Sequence, residues 1–168
     1  MKIFLIGFMG SGKTYWGRLW SQQNDIDFFD LDEMIEQHQK KTIIKIFEEE
    51  GEAIFRNIET ETLKIFTENN NCIIACGGGT PCYNDNMHWM NENGITVYLS
   101  ASPQYIYNRV IEEKDRRPLI RDLNNTDLLL YIEQKLKERE PIYKQAELIF
   151  QVEELNAASF QKIIICNL

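Results

Sequence analysis

Eight consecutive residues carry the most specific chemistry in the chain. Gly7-Phe8-Met9-Gly10-Ser11-Gly12-Lys13-Thr14 reads G-x-x-x-x-G-K-T without a mismatch. Glycines in such a loop let the backbone turn tightly and aim successive N–H groups into one concavity, which binds anions. Lys2-Ile3-Phe4-Leu5-Ile6 precedes it as an apolar run of strand character, and Trp16, Leu19 and Trp20 follow at helical spacing. The loop therefore opens a helix, whose N-terminal partial charge strengthens the attraction for phosphate. Gly10, Ser11 and Gly12 cradle the phosphates, Lys13 reaches the β- and γ-phosphates, and the Thr14 hydroxyl is a ligand for Mg²⁺. A strand before and a helix after separate this motif from a glycine-rich turn with a chance lysine. It implies a nucleoside triphosphate as ligand.

Other residues of chemical interest lie downstream. Asp30 and Asp32 stand at the end of the next short apolar run. One carboxylate of such a pair can hold Mg²⁺ through water and the other can take the proton of an attacking hydroxyl. An N-cap beside a solvated acid is the plainer reading, and Asp32 is the expected cap. Gly77-Gly78-Gly79 follows a third apolar run, Cys72 to Cys76. Three glycines weaken a segment, so close backbone approach is expected there, as is a tight turn. Arg56 shares a helical face with Glu59 and follows Phe55, which fits a surface arginine or a pocket with a charged end. Leu129, Ile132, Leu136 and Arg139 step by three, four and three, directing Arg139 inward, where a guanidinium needs an anion. Arg116-Arg117-Pro118 falls in a charged, aperiodic stretch from Lys114 to Asn125. That stretch is a mobile loop able to close an arginine on phosphoryl charge, or a solvated loop.

The elements that must position these residues follow from periodicity and punctuation. Strands are predicted at 2–6, 26–30, 72–76, 95–99 and 148–152. Helices are predicted after the phosphate loop, after Asp32, and from Thr42 to about Glu68 with a division at Gly51. Others run from about Asp85 to Asn93 and from Pro103 to about Glu113, the latter capped by Ser102. Thr126 is expected to cap the next helix, Pro141 to interrupt it, and residues 157–166 to close the chain. Alternating strands and helices give an α/β fold with a parallel sheet covered on both faces. In such a sheet ligands gather beyond the carboxyl ends of the strands, where the loop, the aspartates and the glycines converge.

At 168 residues the chain suits a single domain. Net charge is −8 and pI about 4.9, which argues against nucleic acid or an anionic membrane as partner. No apolar run approaches about 20 residues and no signal pattern is present. Cys72, Cys76, Cys82 and Cys166 form no C-x-x-C pair, and His38 and His88 make no metal pattern. Reduced thiols in a cytosol are expected.

Taken in order, these residues resemble the shikimate kinase family over nearly the whole chain. The shared features are the phosphate loop, Asp30-x-Asp32, Phe55-Arg56-x-x-Glu59, Gly77-Gly78-Gly79, Arg117-Pro118-Leu119 and Arg139-x-Pro141-x-Tyr143. The resemblance implies a three-layer P-loop kinase fold with five parallel strands in the order 2-3-1-4-5. It implies a lid at about 114–125 and an acceptor-binding helical region at about 31–68. The implied reaction is ATP- and Mg²⁺-dependent phosphorylation of the 3-hydroxyl of shikimate, on the route to chorismate and the aromatic amino acids. Lys13, Asp32 and Arg117 would be catalytic, with Asp30 and Thr14 at the metal. Asp32, Arg56, Gly77, Gly78, Gly79 and Arg139 would hold shikimate in a pocket lined by Phe47 and Phe55. Arg117 would close on ATP, and Arg109 would lie against adenine. A cytoplasmic monomer is implied. Tyr15-Trp16 after Thr14, and Glu153-Glu154-Leu155-Asn156 before the last helix, depart from the family pattern. A gluconate kinase, a catalytically silent nucleotide-binding module and a nucleic-acid-dependent ATPase are the competing readings.

Overall fold

The computed structural model describes residues 1–68, 70–111 and 120–165. Five strands, β1 (Lys2–Ile6), β2 (Asp27–Asp30), β3 (Cys72–Ala75), β4 (Ile95–Ser100) and β5 (Leu148–Gln151), form one sheet in the order 2-3-1-4-5. Every pairing is parallel. The strands most enclosed by the sheet read as continuous apolar runs because both their faces are covered: β1 and β3 are buried throughout. Each fully buried Ile, Leu or Phe in these runs contributes about 1.5–3 kcal/mol relative to exposure.

The strand order reverses around β1, which lies between β3 and β4. That reversal opens a crevice beyond the carboxyl ends of β1 and β3. Helix α1 (Lys13–Asn24) leaves this point and lies close on the sheet at Gly17, where a Cβ would meet the Phe28 ring at 2.4 Å. Helix α2 (Leu31–Gln39) follows β2 directly. Helix α3 (Ile43–Lys64) is broken at Gly51, whose φ of 84° is non-helical, so the expected division is present. Helices α4 (Asn86–Asn93), α5 (Pro103–Val110), α6 (Asn125–Tyr143) and α7 (Phe160–Ile165) complete the set among the described residues.

Four expectations change. Asp30, not Asp32, caps α2: it has the extended backbone of a cap, and its Oδ1 accepts from the Asp32 and Glu33 amides. Asn124, not Thr126, caps α6 by accepting from the Asp127 amide. Pro141 does not interrupt α6. The helix continues to Tyr143, and the amide bond that proline forfeits would have gone to Lys137, an exposed residue that water can serve. Leu128 rather than Leu129 begins the buried stripe, which continues through Ile132, Leu136, Arg139 and Tyr143. The expected extension of α5 to Glu113 and the residue Cys166 lie outside the described residues, as do Lys114, Arg116, Arg117, Pro118 and Leu119. Among the described residues no helix is long and apolar enough to cross a membrane.

Candidate active site

A cavity of about 280 Å³ opens beyond the strand ends. Its lining includes Gly10, Gly12, Lys13, Thr14, Asp30, Asp32, Gly77, Gly78 and Arg109. One wall is the phosphate loop. Gly10 has φ 77°, and a Cβ there would meet Val110 Cγ1 at 2.6 Å. Gly12 has φ 88° and precedes α1 without supplying a side-chain cap, so the first-turn N–H groups remain available to an anion. Lys13 Nζ donates to the carbonyls of Gly7 and Phe8, each at 2.9 Å, which holds the ammonium against the loop it serves.

Asp30 couples this wall to α2. Its Oδ1 caps the helix while Oδ2 accepts from the Thr14 hydroxyl at 2.7 Å. A hydroxyl and a carboxylate side by side at a phosphate loop suit a hard cation that keeps most of its ligands as water and phosphate oxygens. Among the described residues no three His, Cys, Asp or Glu side chains gather into a metal cage. Asp32, two residues further on in the first turn of α2, lines the same cavity.

The triple glycine is a junction between charged groups. A Cβ on Gly77 would lie 2.5 Å from Glu59 Oε1 and 3.0 Å from Asp32 Oδ1. One on Gly78 would lie 3.2 Å from the Met9 amide nitrogen and 3.7 Å from Arg139 Nη1. One on Gly79 would lie 2.4 Å from Arg56 Nη1. Gly77 and Gly79 thus bring the backbone against functional side chains, and Gly78 brings it against the phosphate loop. The expected turn is present, the Thr80 amide donating to the Gly77 carbonyl at 3.1 Å, but none of the three glycines has a φ in the left-handed region, so close approach is what calls for glycine there.

Arg56 and Arg139 lie behind this junction and do not line the 280 Å³ cavity. Arg56 donates through Nη1 to Glu59 Oε2 at 2.9 Å, and through Nε and Nη2 to Glu52 Oε1 at 3.2 and 2.9 Å. The rings of Phe55 and Tyr83 flank its guanidinium at 5.1 and 4.4 Å. Burial works against its charge, but Glu59 and Glu52 outweigh that and raise its pKa. Glu59, 1% exposed, also accepts from the Thr80 hydroxyl. Phe47 packs on Phe55 with ring centroids 4.7 Å apart.

Arg139 is different. It is 8% exposed, sits 5.6 Å from the centre of the Phe8 ring, and has no carboxylate partner among the described residues. Its close neighbours Tyr143, Cys82 and Tyr131 are raised in pKa chiefly by burial, so they stay neutral at pH 7. Tyr143 donates its hydroxyl to the Gly78 carbonyl, tying α6 to the glycine junction. Arg109 is exposed at the cavity rim, where its Nη1 donates to the Tyr105 hydroxyl at 2.7 Å. Glu153 accepts from the Ser102 amide and hydroxyl, so the divergent segment anchors the helix that carries Arg109.

The expected residues therefore meet, apart from Arg117, which lies outside the described residues. Not anticipated were Glu52, Tyr83, Thr80 and the Tyr143 hydroxyl. Glu52 stands four residues before Arg56, a legible helical spacing that Glu59 had overshadowed. Tyr143 likewise stands four after Arg139.

A parallel sheet in this order, with a phosphate loop at its switch point and two acidic groups opposite, defines a P-loop kinase acting on a small molecule. A family model for shikimate kinase matches residues 9–166. A shikimate kinase of Bacteroides thetaiotaomicron is 40% identical over 155 residues, 92% of this chain and 89% of its own. The crystal structure of a shikimate kinase from the same species superposes with a TM-score of 0.92 at 36% identity, covering 98% of both chains. That of Acinetobacter baumannii, in complex with shikimate, gives 0.86 at 33% identity over 99% of this chain and 93% of its own. The chain belongs to the shikimate kinase family, enzymes that use a nucleotide as phosphoryl donor.

Proposed function

We propose that the chain transfers the γ-phosphoryl group of ATP to the 3-hydroxyl of shikimate, with Mg²⁺ held by Thr14 and, through water, by Asp30. The observation that carries the acceptor reading is Arg139. A buried guanidinium with no carboxylate partner among the described residues costs free energy, and an acceptor carboxylate would supply the missing anion. Arg56 holds its place between Glu52 and Glu59, where its remaining N–H groups are available to the same carboxylate. The Gly77–Gly79 backbone brings the acceptor near Asp32, and Phe47 and Phe55 give the pocket its apolar wall.

On this reading Lys13 leaves the loop carbonyls for the β- and γ-phosphates, and the α1 N-terminus takes phosphate oxygens. Asp32 orients the attacking hydroxyl and receives its proton, while Arg117 closes on the transferred group from the segment at about 114–125. Bound Mg²⁺ would supply charge neutralisation at the phosphates. Arg109, held by Tyr105, faces the adenine. The protein acts as one domain, a cytoplasmic monomer, and the acceptor region spans residues 31–68.

The test is ADP release with shikimate, its neutral carboxamide, gluconate and nucleoside monophosphates side by side. Wild type should prefer shikimate and discriminate strongly against the carboxamide, and Arg139→Ala should lose most of that discrimination. Preference for gluconate or a nucleotide acceptor would overturn the reading.

A further inference from the structure

The two arginines behind the glycine junction are electrically unequal. Arg56 carries two carboxylates and Arg139 carries none among the described residues. Two guanidiniums and two carboxylates make the cluster neutral as a whole. The carboxylates are unequal too. Glu59 is 1% exposed and fixed by Arg56 and Thr80, so it belongs to the frame. Glu52 is 44% exposed, stands on the first turn after the Gly51 break, and is held by Arg56 and the Tyr83 hydroxyl. It occupies the Nε–Nη2 side of Arg56, one of the two edges on which a guanidinium can receive a carboxylate bidentately. The field of Arg139 also reaches Glu52.

We propose that Glu52 is a specificity-determining residue of the acceptor site: with Glu59 already paired to Arg56, the Glu52 charge offsets the positive charge that remains on the arginine pair and so tempers its pull on the acceptor's carboxylate. This rests on the reading of Arg56 and Arg139 as acceptor residues. Arg56 then fixes orientation and Arg139 supplies attraction. Glu52 sets the site's affinity below what the two guanidiniums would give with Glu59 as their sole counter-charge. An enzyme profits from such moderation, because tight ground-state binding adds nothing to the chemical step.

Glu52→Gln is the informative change, since it keeps the shape and the acceptor oxygen for Arg56 while removing the charge. For charges several ångströms apart in a half-exposed site, the dissociation constant and KM for shikimate should fall on the order of 3- to 10-fold. The KM values for the carboxamide acceptor and for ATP should stay within about twofold, the scatter expected of a near-neutral surface change. Glu52→Asp, which retains the charge, should resemble wild type in its preference between the two acceptors. The proposal is overturned if Glu52→Gln leaves shikimate binding unchanged or weakens it, or moves both acceptors together, as a merely structural residue would. A wild type that fails to phosphorylate shikimate removes the acceptor reading and this inference with it. A wild type that succeeds while Glu52→Gln behaves identically removes this inference alone.

Discussion

Gly79→Ala isolates the role of the Arg56 clamp. Gly79 has φ −89° and ψ −22°, a conformation open to any residue, so alanine brings no backbone strain. The added Cβ, however, would stand 2.4 Å from Arg56 Nη1 and 2.6 Å from Cζ and Nη2, where ordinary contact begins near 3.4 Å. The guanidinium must withdraw by about 1 Å, too far to keep its 2.9 Å bonds to both Glu59 and Glu52. One charge-assisted hydrogen bond is worth about 1.5–3 kcal/mol, and Glu59 would be left buried with Thr80 alone. At this chain length that corresponds to a fall in Tm of about 3–12 °C. On the proposed acceptor reading the same displacement moves Arg56 away from the carboxylate it would hold, so the KM for shikimate should rise about 10- to 100-fold. Gly79 does not line the phosphate cavity, and the KM for ATP should hold. Thermal melts and steady-state kinetics on both substrates read these outcomes. Gly51→Ala is the comparison: φ 84° and ψ 169° lie in a region open essentially to glycine alone, so although nothing stands within 4 Å alanine should cost about 1–3 kcal/mol of stability, and the KM for ATP should hold. A Gly79→Ala protein with wild-type stability and wild-type shikimate KM would refute the claim that the clamp fixes Arg56.

Two further expectations follow from the site. Lys13→Ala should lower phosphoryl transfer by at least about 10²-fold, the scale of losing one transition-state donor, while circular dichroism and melting stay near wild type; near-normal turnover would remove the kinase mechanism proposed for the loop. Glu52 gives a pH dependence: burial opposes its charge, but hydrogen bonds from Arg56 hold its carboxyl below the usual range. A depressed folded-state pKa stabilises above the unfolded pKa, and that contribution is lost as pH falls through the depressed value. The stability gap between wild type and Glu52→Gln, measured by denaturant melts, should therefore be present near neutrality and shrink as pH falls below the usual carboxylate range; a gap independent of pH would contradict the ion pair.

What could be read from the sequence was what is contiguous or periodic. The phosphate loop is a continuous string, and the inward position of Arg139 follows from helical spacing even though the stripe begins at Leu128 rather than Leu129. The helix caps at Asp30 and Asn124 were misassigned by two residues because several neighbouring side chains can cap, and only backbone conformation chooses among them. Pro141 was read as a break, yet a proline near a helix end removes one bond on a wet face. The Tyr83–Glu52 contact spans 31 residues and leaves no local pattern. The need for three successive glycines was legible, but the reasons for them were not. Those reasons are Glu59 and Arg56, which arrive from α3, and the phosphate-loop backbone at Met9.

The position of β1 bears on how the chain is made. Its ladder partners begin at Cys72 on one side and Ile95 on the other, so it is synthesised long before either. At ordinary translation rates of about 5–20 residues per second, the apolar run from Lys2 to Ile6 waits roughly 5–20 s for both neighbours. The phosphate loop, which follows β1 early in the sequence, thus gains a fixed anchor only when more than half of the chain has been made. Nascent chains arrested before β4 would carry this β-prone run with one edge unpaired, which is where ribosome-bound intermediates should depend most on chaperones.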